Sequence, residues 1–64
     1  MMTRKDFYCL TFQQQIYNTQ YWMFSELCKD RLSIPETIFF DSLIMNATKE
    51  NIVEVAELIG YVHD

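Results

Sequence analysis

The sequence predicts an all-α protein, a small helical bundle that forms one domain over residues 1–64. A long apolar-rich stretch with helical periodicity dominates the first half of the chain, and two shorter stretches with capping residues follow it. The chain has one Gly and one Pro, whereas an all-β protein needs many turns that use both residues. We therefore expect one long N-terminal helix with two shorter helices packed against it.

The long N-terminal helix is predicted to run from Phe7 to Leu32. Its first apolar row is a heptad seam with steps of three and four residues. The seam contains Phe7, Leu10, Gln14, Tyr17, Tyr21, Phe24, Cys28 and Arg31. A second apolar row contains Tyr8, Phe12, Ile16, Met23 and Leu27. The only expected weak point is Asn18-Thr19, because both residues have modest helix propensity.

The two apolar rows cover about half of the helix circumference, which is more than one packing partner needs. The predicted polar face contains Thr11, Gln15, Asn18, Ser25, Glu26 and Lys29. Trp22 falls near this polar face, so we expect it to be largely exposed in a monomer. A homodimer would use the second apolar row and would add to a core that is marginal in a chain of this length.

The second helix has the clearest local signal in the chain. Ser33 can cap it, Pro35 fits its first turn, and Glu36 completes the capping box. We expect this helix to end near Asn46. A strand over Thr37–Phe40 is the competing prediction, and the capping box just before it weakens that alternative.

The third helix is predicted to begin after a capping residue, Thr48. Its apolar stripe contains Ile52, Val53, Val55, Ala56, Ile59 and Val62. The opposite face carries three glutamates, Glu50, Glu54 and Glu57. Gly60 weakens the last turn, so we expect the chain near Tyr61–Asp64 to fray.

The residue inventory does not predict an enzyme, a metal site or a cofactor. Nucleophilic catalysis needs an oriented base, and the only histidine, His63, has no motif around it. One glycine is too few for a phosphate-binding loop. Cys9 and Cys28 lack metal-ligand spacing, and on one continuous helix they would lie about 28 Å apart. We expect both to be reduced and mostly buried.

Charge and hydropathy point to a soluble, cytoplasmic protein. The net charge is −4 and the five Lys and Arg residues are scattered, so binding to nucleic acid is not expected. No apolar stretch approaches the roughly 20 residues that span a membrane, and the N-terminus lacks the apolar core of a signal peptide.

The aromatic residues exceed what a core of this size needs. The most natural core residues among them are Phe12, Phe24, Phe39 and Phe40. The remaining large rings have polar tips that need partners, and exposed apolar patches usually mark interaction sites. The expected partner-binding residues are Tyr8, Tyr17, Tyr21 and Trp22, together with the glutamates Glu50, Glu54 and Glu57.

The sequence thus predicts a non-enzymatic protein that binds a larger protein partner, regulates or inhibits it, and forms a homodimer. Small acidic helical proteins of this kind are common among phage- and plasmid-encoded inhibitors. One alternative is a small helix-turn-helix-like transcriptional regulator, although the glutamates of the would-be recognition helix repel phosphates. The other alternative is a structural subunit of a larger assembly.

Overall fold

Four helices and one pair of short strands make up the part of the chain that the computed structural model describes, residues 2–63. The elements follow the order β1 Met2–Thr3, α1 Arg4–Tyr8, α2 Phe12–Cys28, α3 Ile34–Met45, α4 Ile52–Ile59 and β2 Val62–His63. The predicted helical class is confirmed, because most of these residues are helical. The strands add only a two-residue parallel pairing.

The N-terminal helix predicted from Phe7 to Leu32 is two helices, so its predicted bounds were wrong. The chain turns between α1 and α2, where Thr11 caps α2. Thr11 Oγ1 accepts a hydrogen bond from the Gln14 backbone N–H at 3.1 Å, and the Gln14 side chain accepts one from the Thr11 N–H at 2.9 Å. This capping box starts a new helix at Phe12. From there α2 continues without a break through Asn18-Thr19.

The ends of α2 and α3 are set by local hydrogen bonds. After α2, Asp30 adopts a left-handed conformation with φ of 64°, and the Arg31 N–H donates to the Glu26 carbonyl at 2.9 Å. The predicted capping box of α3 is confirmed. Ser33 Oγ accepts from the Glu36 N–H at 3.2 Å, and the Glu36 carboxylate accepts from the Ser33 N–H at 2.9 Å.

The residues after Gly60 do not fray as predicted, because Gly60 turns the chain back onto the core. Gly60 has φ of 99°, and the Tyr61 N–H donates to the Ala56 carbonyl at 3.0 Å. Val62 is buried and pairs with Met2 in the parallel strands. Asp64, the last residue of that prediction, lies outside the described residues.

The core consists of two apolar clusters joined by α2. The first cluster contains Phe7, Ile52, Val53, Ala56, Tyr61 and Val62, and the second contains Met23, Ile44 and Ile59. Ile16 and Trp22 of α2 pack against both clusters. The predicted apolar stripe of the third helix is therefore confirmed at Ile52, Val53, Ala56 and Ile59, which are all buried.

Several of the predicted side-chain orientations were wrong. Three residues of the second apolar row, which was assigned to a dimer, pack in the core of the monomer instead: Phe12, Ile16 and Met23. Tyr8 of the same row is exposed. Two residues of the predicted polar face, Gln15 and Glu26, are buried as well. Two of the predicted core aromatics, Phe24 and Phe39, are exposed instead.

Candidate protein-binding face

The orientation of α2 leaves the part of the heptad seam that lies on this helix on the outside of the molecule. Tyr17, Tyr21 and Phe24 are 65%, 67% and 47% exposed. The rings of Tyr17 and Tyr21 lie 6.5 Å apart. Three exposed apolar residues of α3 complete the set: Ile34, Ile38 and Met45. We call these six residues the aromatic face.

The α2 and α3 residues of the aromatic face lie along the line where these two helices meet, the α2–α3 seam. On α2, Gln20 follows Tyr17 by three residues and precedes Phe24 by four, so all three lie on one side. The Gln20 Nε2 atom lies 3.5 Å from both Asp41 Oδ1 and Met45 Sδ. On α3, Asp41 shares a side with Ile38 and Met45 by the same spacing. The exposed apolar residues of the two helices are therefore neighbours across this seam.

The aromatic face carries no exposed charge from α2. The 17 residues of α2 contain one charged residue, Glu26. Its side chain is only 11% exposed and lies 3.9 Å from the Lys29 ammonium and 3.8 Å from the Arg31 guanidinium. Both cations follow α2 at its C-terminal end, so the outward side of α2 presents aromatic rings without competing charges.

Buried polar side chains keep α2 in this orientation. Gln15 donates through Nε2 to the Phe7 carbonyl at 2.9 Å, and this carbonyl belongs to the end of α1. The Thr19 hydroxyl donates to the Gln15 carbonyl at 2.7 Å. Since these polar groups are paired, their burial does not carry the penalty of an unsatisfied donor. The inward side of α2 can therefore be partly polar while the outward side is apolar.

Trp22 is not part of the aromatic face, contrary to the sequence prediction that it is exposed. It is half-buried and packs against both core clusters. Its ring lies 5.7 Å from the Tyr61 ring, and a Cβ at Gly60 would lie 3.5 Å from Trp22 Cη2. The same surroundings bury Tyr61 and raise the pKa of its hydroxyl through desolvation. Trp22 therefore stabilises the fold.

Tyr8 lies apart from the predicted tyrosine set. It is 62% exposed, but it belongs to α1, which packs against α4 and the strands. The structure thus brings together Tyr17 and Tyr21 and leaves Tyr8 on another element. Phe39 and Leu58 are also exposed, and the Phe39 ring lies 5.8 Å from that of Phe40.

The three glutamates do not form one set with the aromatic face. Glu50 precedes α4, while Glu54 and Glu57 lie on α4 opposite its buried residues. Glu57 accepts two hydrogen bonds from the Arg4 guanidinium, at 2.8 Å to Nε and 2.7 Å to Nη2. These bonds lower the pKa of the Glu57 carboxyl. The ion pair between Arg4 and Glu57 therefore links α1 to α4. Glu50 and Glu54 are exposed.

The described residues were also compared with the predictions for metal sites, cysteines and membrane spans. No group of three His, Cys, Asp or Glu side chains within residues 2–63 is placed to hold a metal ion. Cys9 and Cys28 are free and exposed, so the prediction that they are buried was wrong. None of the helices in this range has the length and apolar character that crossing a membrane requires.

The chain has no match among protein-family models, curated proteins or solved structures.

Sequence reasoning missed four residues of the aromatic face: Phe24, Ile34, Ile38 and Met45. Phe24 had been assigned to the core with Phe12, Phe39 and Phe40. The useful signal was the absence of charged residues from the side of α2 that carries the heptad seam. An ordinary surface helix places charged side chains on its outward face, so α2 departs from that pattern.

Proposed function

We propose that this protein binds a larger protein through the aromatic face and thereby regulates or inhibits it, without catalysing a reaction. The observation that carries this proposal is the outward side of α2, which exposes three large aromatic rings and no charge. Monomeric soluble proteins rarely expose contiguous apolar patches beyond a few hundred Å² unless the patch is functional. Aromatic residues are also enriched in protein interfaces.

The shape of the aromatic face favours an apolar helix or ridge of the partner as its target. Exposed side chains on both sides of the α2–α3 seam can hold an amphipathic helix by its apolar stripe. Tyr17 and Tyr21 suit the rim, because their rings contribute apolar area while their hydroxyls can donate or accept hydrogen bonds. The partner surface should therefore be apolar at its centre with polar groups at its edge.

We place this activity in the cytoplasm and expect homodimerisation as a second use of the same face. Free, exposed thiols such as those of Cys9 and Cys28 persist in reducing compartments. The dimer expected from the sequence cannot use the second apolar row as a unit, since Phe12, Ile16 and Met23 of that row pack in the core of the monomer. The aromatic face offers six exposed apolar residues instead.

Affinity capture from the native host tests the proposal when it compares two matched variants. Tyr21→Glu places a charge in the middle of the aromatic face, and Tyr8→Glu makes the same change at a similarly exposed tyrosine on α1. We expect Tyr21→Glu to lose the partner and Tyr8→Glu to retain it. Trp22→Ala is unsuitable here, because its loss would reduce stability rather than test contact.

The captured protein should then be purified and its affinity measured by calorimetry. Loss of a central aromatic anchor typically costs 2 kcal/mol or more in binding, so we expect Tyr21→Glu to weaken binding by at least about 30-fold. Equal affinities for the wild type and Tyr21→Glu would rule out the aromatic face as the binding surface.

A further inference from the structure

We propose that two copies of this chain pair through the aromatic face, related by a two-fold axis that passes near the middle of α2. This inference rests on the proposed function, because it assigns an occupant to the same surface. Three properties of the aromatic face point to a second copy as that occupant: its charge, its area and the position of its aromatic residues along α2.

Charge favours self-association at the aromatic face over other surfaces. The chain carries a net charge of −4, so two copies repel one another over most orientations. The outward side of α2 has no exposed charge, and the nearest carboxylate on α3, Asp41, lies against the Gln20 amide at the seam. Two copies that meet here therefore place no like charges from α2 opposite each other, which would otherwise cost affinity.

The area of the aromatic face matches what a stable interface needs. Tyr17, Tyr21 and Phe24 are half to two-thirds exposed, and Ile34, Ile38 and Met45 are each about two-thirds exposed. If a fully exposed large residue presents about 200 Å², the six residues together present roughly 750 Å². A standard protein interface buries about 800 Å² from each partner. Coverage of this face by a second copy would therefore reach the standard size.

The positions of the aromatic residues on α2 suit an antiparallel pairing. α2 runs from Phe12 to Cys28, so its midpoint is Gln20, next to Tyr21. A two-fold axis between Gln20 and Tyr21 places Tyr17 of one copy opposite Phe24 of the other and brings the two Tyr21 rings close together. The helix dipoles then run in opposite directions, which is the favourable arrangement for adjacent helices. The interface is isologous, since both copies contribute the same residues.

Sedimentation equilibrium of the full chain tests this proposal, under reducing conditions that prevent disulfides through Cys9 or Cys28. Over about 1 to 500 μM the wild type should change from the mass of one chain to that of two. Tyr21→Glu should weaken dimerisation by about 100-fold or more, because an isologous interface contains the substituted residue twice. Tyr8→Glu should dimerise within about threefold of the wild type, because it adds the same charge outside the face.

Two outcomes overturn the dimer. One is a wild type that stays monomeric over the whole range, and the other is equal dimerisation of Tyr21→Glu and Tyr8→Glu. Circular dichroism establishes that each variant is folded, and Ile38→Glu replaces Tyr21→Glu if the latter unfolds, since Ile38 is equally exposed. A monomeric wild type would rule out the dimer but not the binding of a larger protein. The proposed function is ruled out separately, if the wild type and Tyr21→Glu bind the captured protein with equal affinity.

Discussion

Two residues in left-handed conformations end the helices that matter most for this fold. Asp30 follows α2 with φ of 64°, and Gly60 follows α4 with φ of 99°. Both occupy the same place in a Schellman motif. The next residue donates its N–H to a carbonyl five positions back, Arg31 to Glu26 and Tyr61 to Ala56. Glycine adopts this conformation at little cost, whereas residues with a Cβ pay for it.

Introducing glycine at Asp30 and removing it from Gly60 should have opposite effects on the free energy of unfolding. Asp30→Gly should raise the free energy of unfolding by about 0.5 kcal/mol, since relief of the left-handed strain exceeds the entropy cost of glycine. Gly60→Ala should lower it by about 1–2 kcal/mol, because alanine is strained at a φ of 99°. Urea denaturation of both variants measures these changes. If both substitutions shift stability in the same direction, the left-handed conformations are not what governs it.

The sequence identified the apolar rows of α2 at the residue level but not which row faces inward. More than one side of α2 is apolar, so periodicity alone leaves the orientation open. The choice depends on specific polar pairings, such as the Gln15 side chain with the Phe7 carbonyl at 2.9 Å. This hydrogen bond requires the turn of the chain between α1 and α2. The apolar periodicity of the sequence does not reveal that turn, so it cannot reveal the bond.

At the scale of elements, the boundaries that the sequence could predict are those with reciprocal capping residues. The start of α3 was predicted from Ser33 and Glu36. Thr11 and Gln14 have the same spacing and form the same capping box at the start of α2. This capping box directly follows apolar residues that end at Leu10. The apolar periodicity continues across it, so one helix was predicted where the chain forms two. The pairing of the strands joins residues 60 positions apart, and local patterns carry no information about such contacts.

The ion pair between α1 and α4 predicts a pH dependence of stability. Hydrogen bonds from Arg4 lower the pKa of Glu57 in the folded state. A carboxyl with a lowered folded pKa contributes stability above its unfolded pKa of about 4.3, and this contribution is lost as pH falls through the folded pKa. The wild type should therefore lose stability below about pH 4 more steeply than Glu57→Gln.

Thermal unfolding between about pH 2 and 6 measures this difference. The slope should not vanish in Glu57→Gln, because a hydrogen bond from the Ser33 backbone N–H also lowers the pKa of Glu36. Glu54→Gln on the same helix controls for the loss of one negative charge. Identical slopes for the wild type and Glu57→Gln would show that the bond to Arg4 does not contribute to acid stability.

For the molecule as a whole, the side chains that hold the fold together are separate from those of the aromatic face. The core depends on α4 and on the inward side of α2, where Trp22 and Ile16 join two clusters. The aromatic face uses the other side of α2 and the outer side of α3. Substitutions on the aromatic face should therefore change binding while the fold persists, which is the condition for testing both proposals.

Two isoleucines on α3 test this separation directly. Ile44 is fully buried against Met23 and Ile59, whereas Ile38 on the same helix is 66% exposed. Ile44→Ala should lower the free energy of unfolding by about 2–5 kcal/mol through lost burial and a residual cavity. In a chain of this size that loss removes most of the stability. Ile38→Ala should change it by no more than about 0.5 kcal/mol in the monomer. Urea denaturation at low protein concentration measures both, and a comparable loss in the two variants would mean that the aromatic face is part of the core.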